Sequence, residues 1–308
     1  RGDQAGRNRA VLIKVGSRGS RLAVLQAESV IRRLRRFVDA EFSVVKIKTL
    51  GDSPRCLQML GSGIFEKDVD DALIRGEIDL AVHSMKDVPT DIPGEIVLAA
   101  VPERLPANDV FVSPKYGKLS LLPEGGVIGT SSPRRAAQLR SVRQDLRVVS
   151  LRGNIETRLR RLGEDKFDGI ILAQAALVRI GGLSGSEEIL PIEHFPTSPG
   201  QGALAIMVRK GDREMLGLAG KINCAEALEE ITAERSFLST LGCGCSSPVG
   251  CTASVQGQSL LIHCGLYTPD GKHSKTFSFE FERGVASHCG EEAARRVLGD
   301  AEACNFWR

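Results

Sequence analysis

Apolar positions in this chain fall into short runs and spaced faces. Residues 11–15 read as a strand. Ala27, Val30, Ile31, Leu34 and Val38 then recur at the spacing of a helix that buries one side. The opposite side carries Arg32, Arg33, Arg35 and Arg36, a solvated face with cations near the helix C-terminus, where the dipole favours them. Residues 51–63 are rich in Gly, Ser and Pro and read as a mobile loop. A helical stretch at 65–76 and strands at 43–48, 78–83 and 95–101 complete an alternating unit, which predicts a largely parallel sheet. A second such unit spans 109–197, with strands at 127–129, 148–151 and 168–173. A strand at 203–208 crosses back to the first unit. After a helix at 225–241 the pattern becomes alternating strands at 260–266 and 276–281, then a helix near 291–298, a small α+β domain.

The expected fold class is α/β: two lobes with mixed, mostly parallel sheets, plus the small C-terminal α+β domain. Lobe 1 takes 11–105 plus 200–219, lobe 2 takes 106–199, and the third domain takes 222–308. With 308 residues the chain exceeds what one core usually organises, which fits this division.

Composition narrows the partners. A net charge of +3 and only 5% aromatics argue against nucleic acid, which needs a broad basic surface and stacking platforms. No apolar run has the length of a membrane span. Seven of the eight cysteines lie at or after Cys224, and the chain is too long and Cys-poor for a secreted disulfide scaffold, so a reducing compartment is expected. Residues 1–10 are polar and are expected to be disordered, the stub of a cleaved transit sequence or a trimmed end.

Charge concentrates locally, at strand ends. Val127-Ile128-Gly129 runs into Thr130-Ser131-Ser132, and Pro133 opens a helix with Arg134 and Arg135 in its first turn. A helix N-terminus is itself partly positive, so two cations there point to an anion that arrives as a ligand, a carboxylate or a phosphate. Arg152-Gly153-Asn154 with Arg158, and Arg179 after the strand at 168–173, repeat the pattern. Ligands of open α/β sheets lie beyond the carboxyl ends of the strands, and two facing lobes would gather Arg18, Asp87 and these arginines in one cleft.

Two segments carry candidate chemistry. His83-Ser84-Met85-Lys86-Asp87-Val88-Pro89-Thr90 follows the most apolar strand of lobe 1. Asp87 either caps the following turn or stabilises a cationic nitrogen-containing intermediate and accepts its proton. His83 reads as a core residue. In Gly242-Cys243-Gly244-Cys245-Ser246-Ser247-Pro248, glycines leave space around Cys245, as a thiol carrying a bulky adduct would need. An inert thiol is the other reading. The spacing to Cys251 lacks the paired pattern of a structural zinc site, so no metal is expected.

Together these segments resemble the porphobilinogen deaminase (hydroxymethylbilane synthase) family of tetrapyrrole biosynthesis, from about Val11 to beyond Gly265. The motifs stand in family order: Ser17-Arg18-Gly19-Ser20-Arg21-Leu22-Ala23 with Gln26; His83 to Thr90; Gly129 to Leu139; Arg152-Gly153-Asn154 with Thr157-Arg158; Gly200-Gln201-Gly202; Ala233-Glu234-Arg235-Ser236-Phe237-Leu238; and Gly244-Cys245-Ser246-Ser247-Pro248. The resemblance implies two lobes like those of periplasmic binding proteins. It implies an enzyme that joins four porphobilinogen molecules head to tail with loss of ammonia, on a dipyrromethane cofactor bound by thioether to Cys245, and then releases hydroxymethylbilane. It places the catalytic aspartate at Asp87. It places cofactor and substrate binding at Arg18, Ser20, Lys86, Thr130, Ser132, Arg134, Arg135, Arg152, Gly153, Arg158, Arg179 and Gln201. A monomer in the cytosol or plastid stroma, handing its product to uroporphyrinogen III synthase, is part of the same expectation. Departures are Ser62 where lysine is frequent, Cys243 and Ala176 where glycine is usual, and Pro133 where leucine is common. A two-lobed polycarboxylate-binding protein without chemistry is the alternative.

Overall fold

A computed structural model describes residues 11–48, 64–164, 167–242 and 247–307. The expectations for residues 1–10, the loop at 51–63 with Ser62, and both Cys243 and Cys245 lie outside the described residues.

The first half of lobe 1 is β1 (Leu12–Arg18), α1 (Arg21–Leu34), β2 (Glu41–Ile47), α2 (Ile64–Ile74), β3 (Leu80–Ser84) and β4 (Ile96–Ala100). Lobe 2 contains β5 (Asp109–Val112), β6 (Val127–Gly129), α3 (Pro133–Val142), β7 (Arg147–Val149), α4 (Ile155–Gly163), β8 (Gly169–Ala173), α5 (Gln174–Ile180) and β9 (Glu188–Ile189). The chain then returns to lobe 1 as β10 (Leu204–Arg209) and α6 (Arg213–Gly220). Next come α7 (Ala225–Thr240), β11 (Val249–Gln256), β12 (Ser259–Tyr267), β13 (Ser274–Glu282), α8 (Ala286–Gly299) and α9 (Ala301–Trp307).

Strand order is β2-β1-β3-β10-β4 in the first sheet, β7-β6-β8-β5-β9 in the second and β11-β12-β13 in the third. The two lobe sheets are mixed, as expected, but antiparallel pairs match parallel ones in number. β10 runs antiparallel to β3 and β4, and β5 runs antiparallel to β8 and β9. A strand that crosses between lobes enters each sheet from the opposite side, which is what reverses β5 and β10. Each lobe sheet is buried on both faces. Ile13, Val15, Leu80 and Ile206 lie on one side of the first sheet, with Ala81, Ala205 and Met207 on the other. That explains the near-continuous apolar runs in the sequence.

The crossing segments are stitched to each other. Leu105 donates its N–H to Gly202 (3.3 Å), and Gln201 Nε2 donates to the Ala107 carbonyl (2.6 Å). Behind them, Arg104 donates to the Gln201 carbonyl (3.0 Å) and pairs with Glu230 and Glu234 of α7. Glu234 is fully buried and also accepts from the N–H groups of Gly200 (2.6 Å) and Ala253 (2.8 Å). One helix of the third domain therefore grips the crossing point between the lobes.

Candidate active site

Two cavities meet at the turn after β3. Buried Met85 anchors this 3₁₀ turn, Met85–Asp87, and leaves Lys86 and Asp87 partly exposed. Gly200 packs against it with φ of 81°; a Cβ there would come within 2.8 Å of the Lys86 nitrogen, so only glycine fits. Arg235 of α7 donates to the carbonyls of Val88 (2.9 Å), Pro89 (2.6 Å) and Thr90 (3.1 Å), fixing the chain just beyond Asp87.

The larger cavity, about 480 Å³, includes Ser131, Arg135, Arg158, Leu238, Ser247 and Val249 in its lining. The smaller, about 110 Å³, includes Arg18, Ser20, Ala176 and Arg179. Lys86, Asp87 and Gln201 line both. The strand-end residues are thus brought into one cleft.

The double arginine is arranged differently from the sequence expectation of a wholly external anion. Its first counter-ion is internal. Asp109, at the start of β5, is buried at 1% exposure and binds Arg134 Nη2 at 2.8 Å and Arg135 Nη2 at 2.7 Å. Arg134 spends its other donors on Gln138 Oε1 (2.7 Å), the Pro196 carbonyl (3.1 Å) and Ser198 Oγ (3.3 Å). Arg135 donates to the Ile171 carbonyl (3.2 Å) and to Gln201 Oε1 (3.3 Å), but its Nε is buried with no hydrogen-bond partner. Burial alone would raise the Asp109 pKa. The two guanidiniums, with hydrogen bonds from Arg135 and Gln201, overcome this and hold the carboxyl well below its usual range. Two cations against one carboxylate leave a net positive charge, and a buried N–H without an acceptor is costly, so a carboxylate ligand suits this wall of the cavity.

The remaining residues divide by what they touch. Arg158 donates Nε to the Gly153 carbonyl (2.8 Å); burial and the like charge of Arg135 lower its pKa to about 10. Arg179 donates to the Gly202 carbonyl (2.8 Å), and burial with the like charge of Arg33 lowers its pKa to about 10 as well. Burial lowers Lys86 to about 8, although the Asp87 carboxylate opposes the shift. Ser20 and Ser132 cap α1 and α3 through their hydroxyls. Thr130 is buried and accepts the Ser132 N–H (3.2 Å). Gly153 has φ of 116°, and a Cβ there would meet the Thr157 side chain at 2.9 Å. Arg152 is exposed beyond β7 and does not line either cavity. His83 is a core residue, 2.9 Å from Asp70.

Sequence reasoning missed Asp109, Ser131 and Arg235. Asp109 looked like the plain start of a strand, and its partners lie 25 and 26 residues away. Ser131 was visible within the hydroxyl turn, between the two neighbours that were chosen.

Fold and cleft together define a two-lobed α/β protein with a cationic interlobe cleft and a small third domain clamped onto the crossing point. Residues 13–217 match the family model described as porphobilinogen deaminase, dipyromethane cofactor binding domain, and residues 228–299 match the porphobilinogen deaminase C-terminal domain. The chain is 42% identical to the porphobilinogen deaminase of Pelotomaculum thermopropionicum, over 93% of this chain and 93% of that one. It is also 42% identical to that of Thermus thermophilus, over 93% and 95%. A solved methionine-binding protein, MetQ, aligns with 71% of this chain and 92% of its own at a TM-score of 0.46 and 14% identity. The chain belongs to the porphobilinogen deaminase family.

The dipyrromethane cofactor of that family is a small polycarboxylate, and the larger cavity fits such a group. Its orphaned Arg135 Nε and the Arg158 guanidinium suit carboxylates, while Leu238, Val249 and Met85 offer apolar surface to rings.

Replacing Asp109 by Asn is expected to destabilise the fold by about 3–5 kcal/mol, because two guanidiniums stay buried without their carboxylate. Since the folded pKa of Asp109 is depressed, its contribution is present above about pH 4 and is lost as pH falls. Urea titration at neutral pH measures the loss. A midpoint matching the unsubstituted chain contradicts the assignment.

Proposed function

We propose that the chain joins four porphobilinogen molecules head to tail onto a dipyrromethane held by a thioether to Cys245. One ammonia leaves at each condensation, and water finally releases hydroxymethylbilane. The observation that carries this reading is the position of Lys86 and Asp87 at the junction of two cationic cavities. The larger accommodates the chain already built and the smaller one incoming pyrrole. Ser247, two residues after Cys245, and Leu238 of α7 both line the larger cavity, which supports a tether there.

When bound, the dipyrromethane supplies the pyrrole carbon at which the first new carbon–carbon bond forms. Arg135, through Nε, and Arg158 hold its acetate and propionate arms. Arg18, Arg179 and Ser20 hold those of the incoming substrate; a guanidinium fork suits a carboxylate better than an ammonium does. Asp87 stabilises the positive charge that develops as the amine departs and takes the proton displaced from the pyrrole carbon, which leaves with the ammonia. Lys86 adds a carboxylate-binding charge between the cavities. Thr130, Ser132, Arg134 and Gly153 act at one remove, by holding the turns and the arginines in place, and Gln201 does so while also lining both cavities. Arg152, exposed after β7, serves later units of the growing chain. A monomer that passes hydroxymethylbilane to uroporphyrinogen III synthase, in the cytosol or plastid stroma, completes the reading. Among the described residues no helix is long and apolar enough to cross a membrane.

Intact mass spectrometry tests the tether. The loaded protein should exceed its sequence mass by one dipyrromethane. The excess should vanish in Cys245→Ala and persist in Cys243→Ala, and Asp87→Ala should fold normally while turnover falls by roughly 10²–10⁴-fold. A folded, unmodified protein without turnover would instead indicate a polycarboxylate-binding protein.

The pH profile tests Lys86. Burial puts Lys86 at about 8 in the cofactor-free protein, so porphobilinogen binding to that form should weaken as pH rises through this range. Lys86→Arg keeps the charge and should remove that weakening. Identical profiles would show that Lys86 does not govern binding.

A further inference from the structure

A separate hollow of about 240 Å³ lies at the seam where α1 of lobe 1 packs on α5 of lobe 2. Its charged walls are Arg32, Arg33, Arg179 and Glu103. Arg179 also lines the smaller cleft cavity and is the residue common to both linings. Along α1, Gln26 faces the cleft cavity and Ser29 the hollow. These two positions are less than one helical turn apart, so the two linings come close along α1 with Arg179 between them.

Charge in the hollow is unbalanced. Glu103 approaches Arg33 only to 3.5 Å and is 80% exposed, so it offsets little. Arg32 is exposed and makes no ion pair among the described residues. The C-terminal turn of α1 accounts for Arg32 and Arg33, because cations there favour the helix dipole. Arg179 stands in the last turn of α5 for the same reason, and the seam sets both helix ends against one hollow, so three cations meet a single exposed carboxylate there. Burial and, after it, the like charge of Arg33 lower the pKa of Arg179, and an anion between the two would oppose both effects.

We propose that this seam is a capture site for porphobilinogen, which it holds by the acetate and propionate arms before passing it to the smaller cleft cavity. The proposal rests on the deaminase reading above. The hollow suits a single pyrrole acid and not a chain of four. Arg32 and Arg33 raise the local concentration of this dicarboxylate, whose two carboxylates outweigh its one ammonium, and Arg179 can bind a carboxylate from either side. Transfer then requires no return to bulk solvent.

The test is steady-state kinetics of the cofactor-loaded Arg32→Glu, Arg33→Glu double variant across ionic strength, with Arg36→Glu, exposed in the turn just beyond the same helix, as control. The double variant should raise KM by roughly 10-fold at low salt, with the gap closing as salt screens the field, and should leave kcat within about two-fold. Arg36→Glu should behave as the unsubstituted protein. Should charge reversal prevent folding, Arg32→Gln with Arg33→Gln is expected to show the same trend with a smaller rise. A KM equal to that of Arg36→Glu at every ionic strength overturns the proposal. If even the unsubstituted protein makes no hydroxymethylbilane, the deaminase reading fails instead. Calorimetric binding of porphobilinogen then decides the seam on its own: affinity lost in the double variant supports it, and unchanged affinity overturns it.

Discussion

The site depends on one buried carboxylate. Asp109 begins β5, immediately after the chain crosses from lobe 1, and it holds both arginines of the first turn of α3. Without it, two guanidiniums at the positive end of a helix would repel each other and the dipole. With it, their planes are fixed before any ligand arrives, and they are no longer equivalent. Each nitrogen of Arg134 has a partner among Asp109, Gln138, Pro196 and Ser198, whereas Arg135 leaves its buried Nε without one. Both guanidinium planes are thus set before a ligand arrives, which is what the proposed function asks of a carboxylate cradle.

The same cluster connects the three parts of the molecule. Gln201 touches Asp109 and Arg135 while its neighbour Gly200 packs on the Lys86 turn. Glu234 and Arg104 pin the crossing from α7, and Arg235, one residue on, pins the chain beyond Asp87. The Lys86–Asp87 turn, the arginine cradle and the third domain thus share one node. Under the proposed function that node would hold Asp87 in one place while the ligand lengthens.

Much of this was legible in the sequence because its local signals are strong. The Ser132-Pro133 cap, the helical spacing of Ala27, Val30, Ile31 and Leu34, and the apolar run ending at His83 each reflect forces acting within a few residues, and the corresponding elements stand where those signals put them. The arginine-bearing turns that open α3 and α4 were legible for the same reason. Other features were not. The reversal of β5 and β10 follows from the path of the chain between lobes, which periodicity does not encode. β11 alternates Val249, Cys251, Ala253 and Val255 inward, but its small residues gave a weak pattern. The α8 helix begins at Ala286, five residues before its expected start, because Val285 caps it without a side-chain hydrogen bond to mark the position. The Asp109 cluster was invisible because each of its members, read alone, has an ordinary local role.

The most direct measurement is a crystal structure of the cofactor-loaded protein. If Asp109 preorganises the cradle, both of its ion pairs stay in place, a pyrrole carboxylate accepts from Arg135 Nε, and Arg134 makes no contact with the pyrroles. Asp109 released from either arginine, or Arg134 turned into the cleft to bind a pyrrole arm, would contradict it.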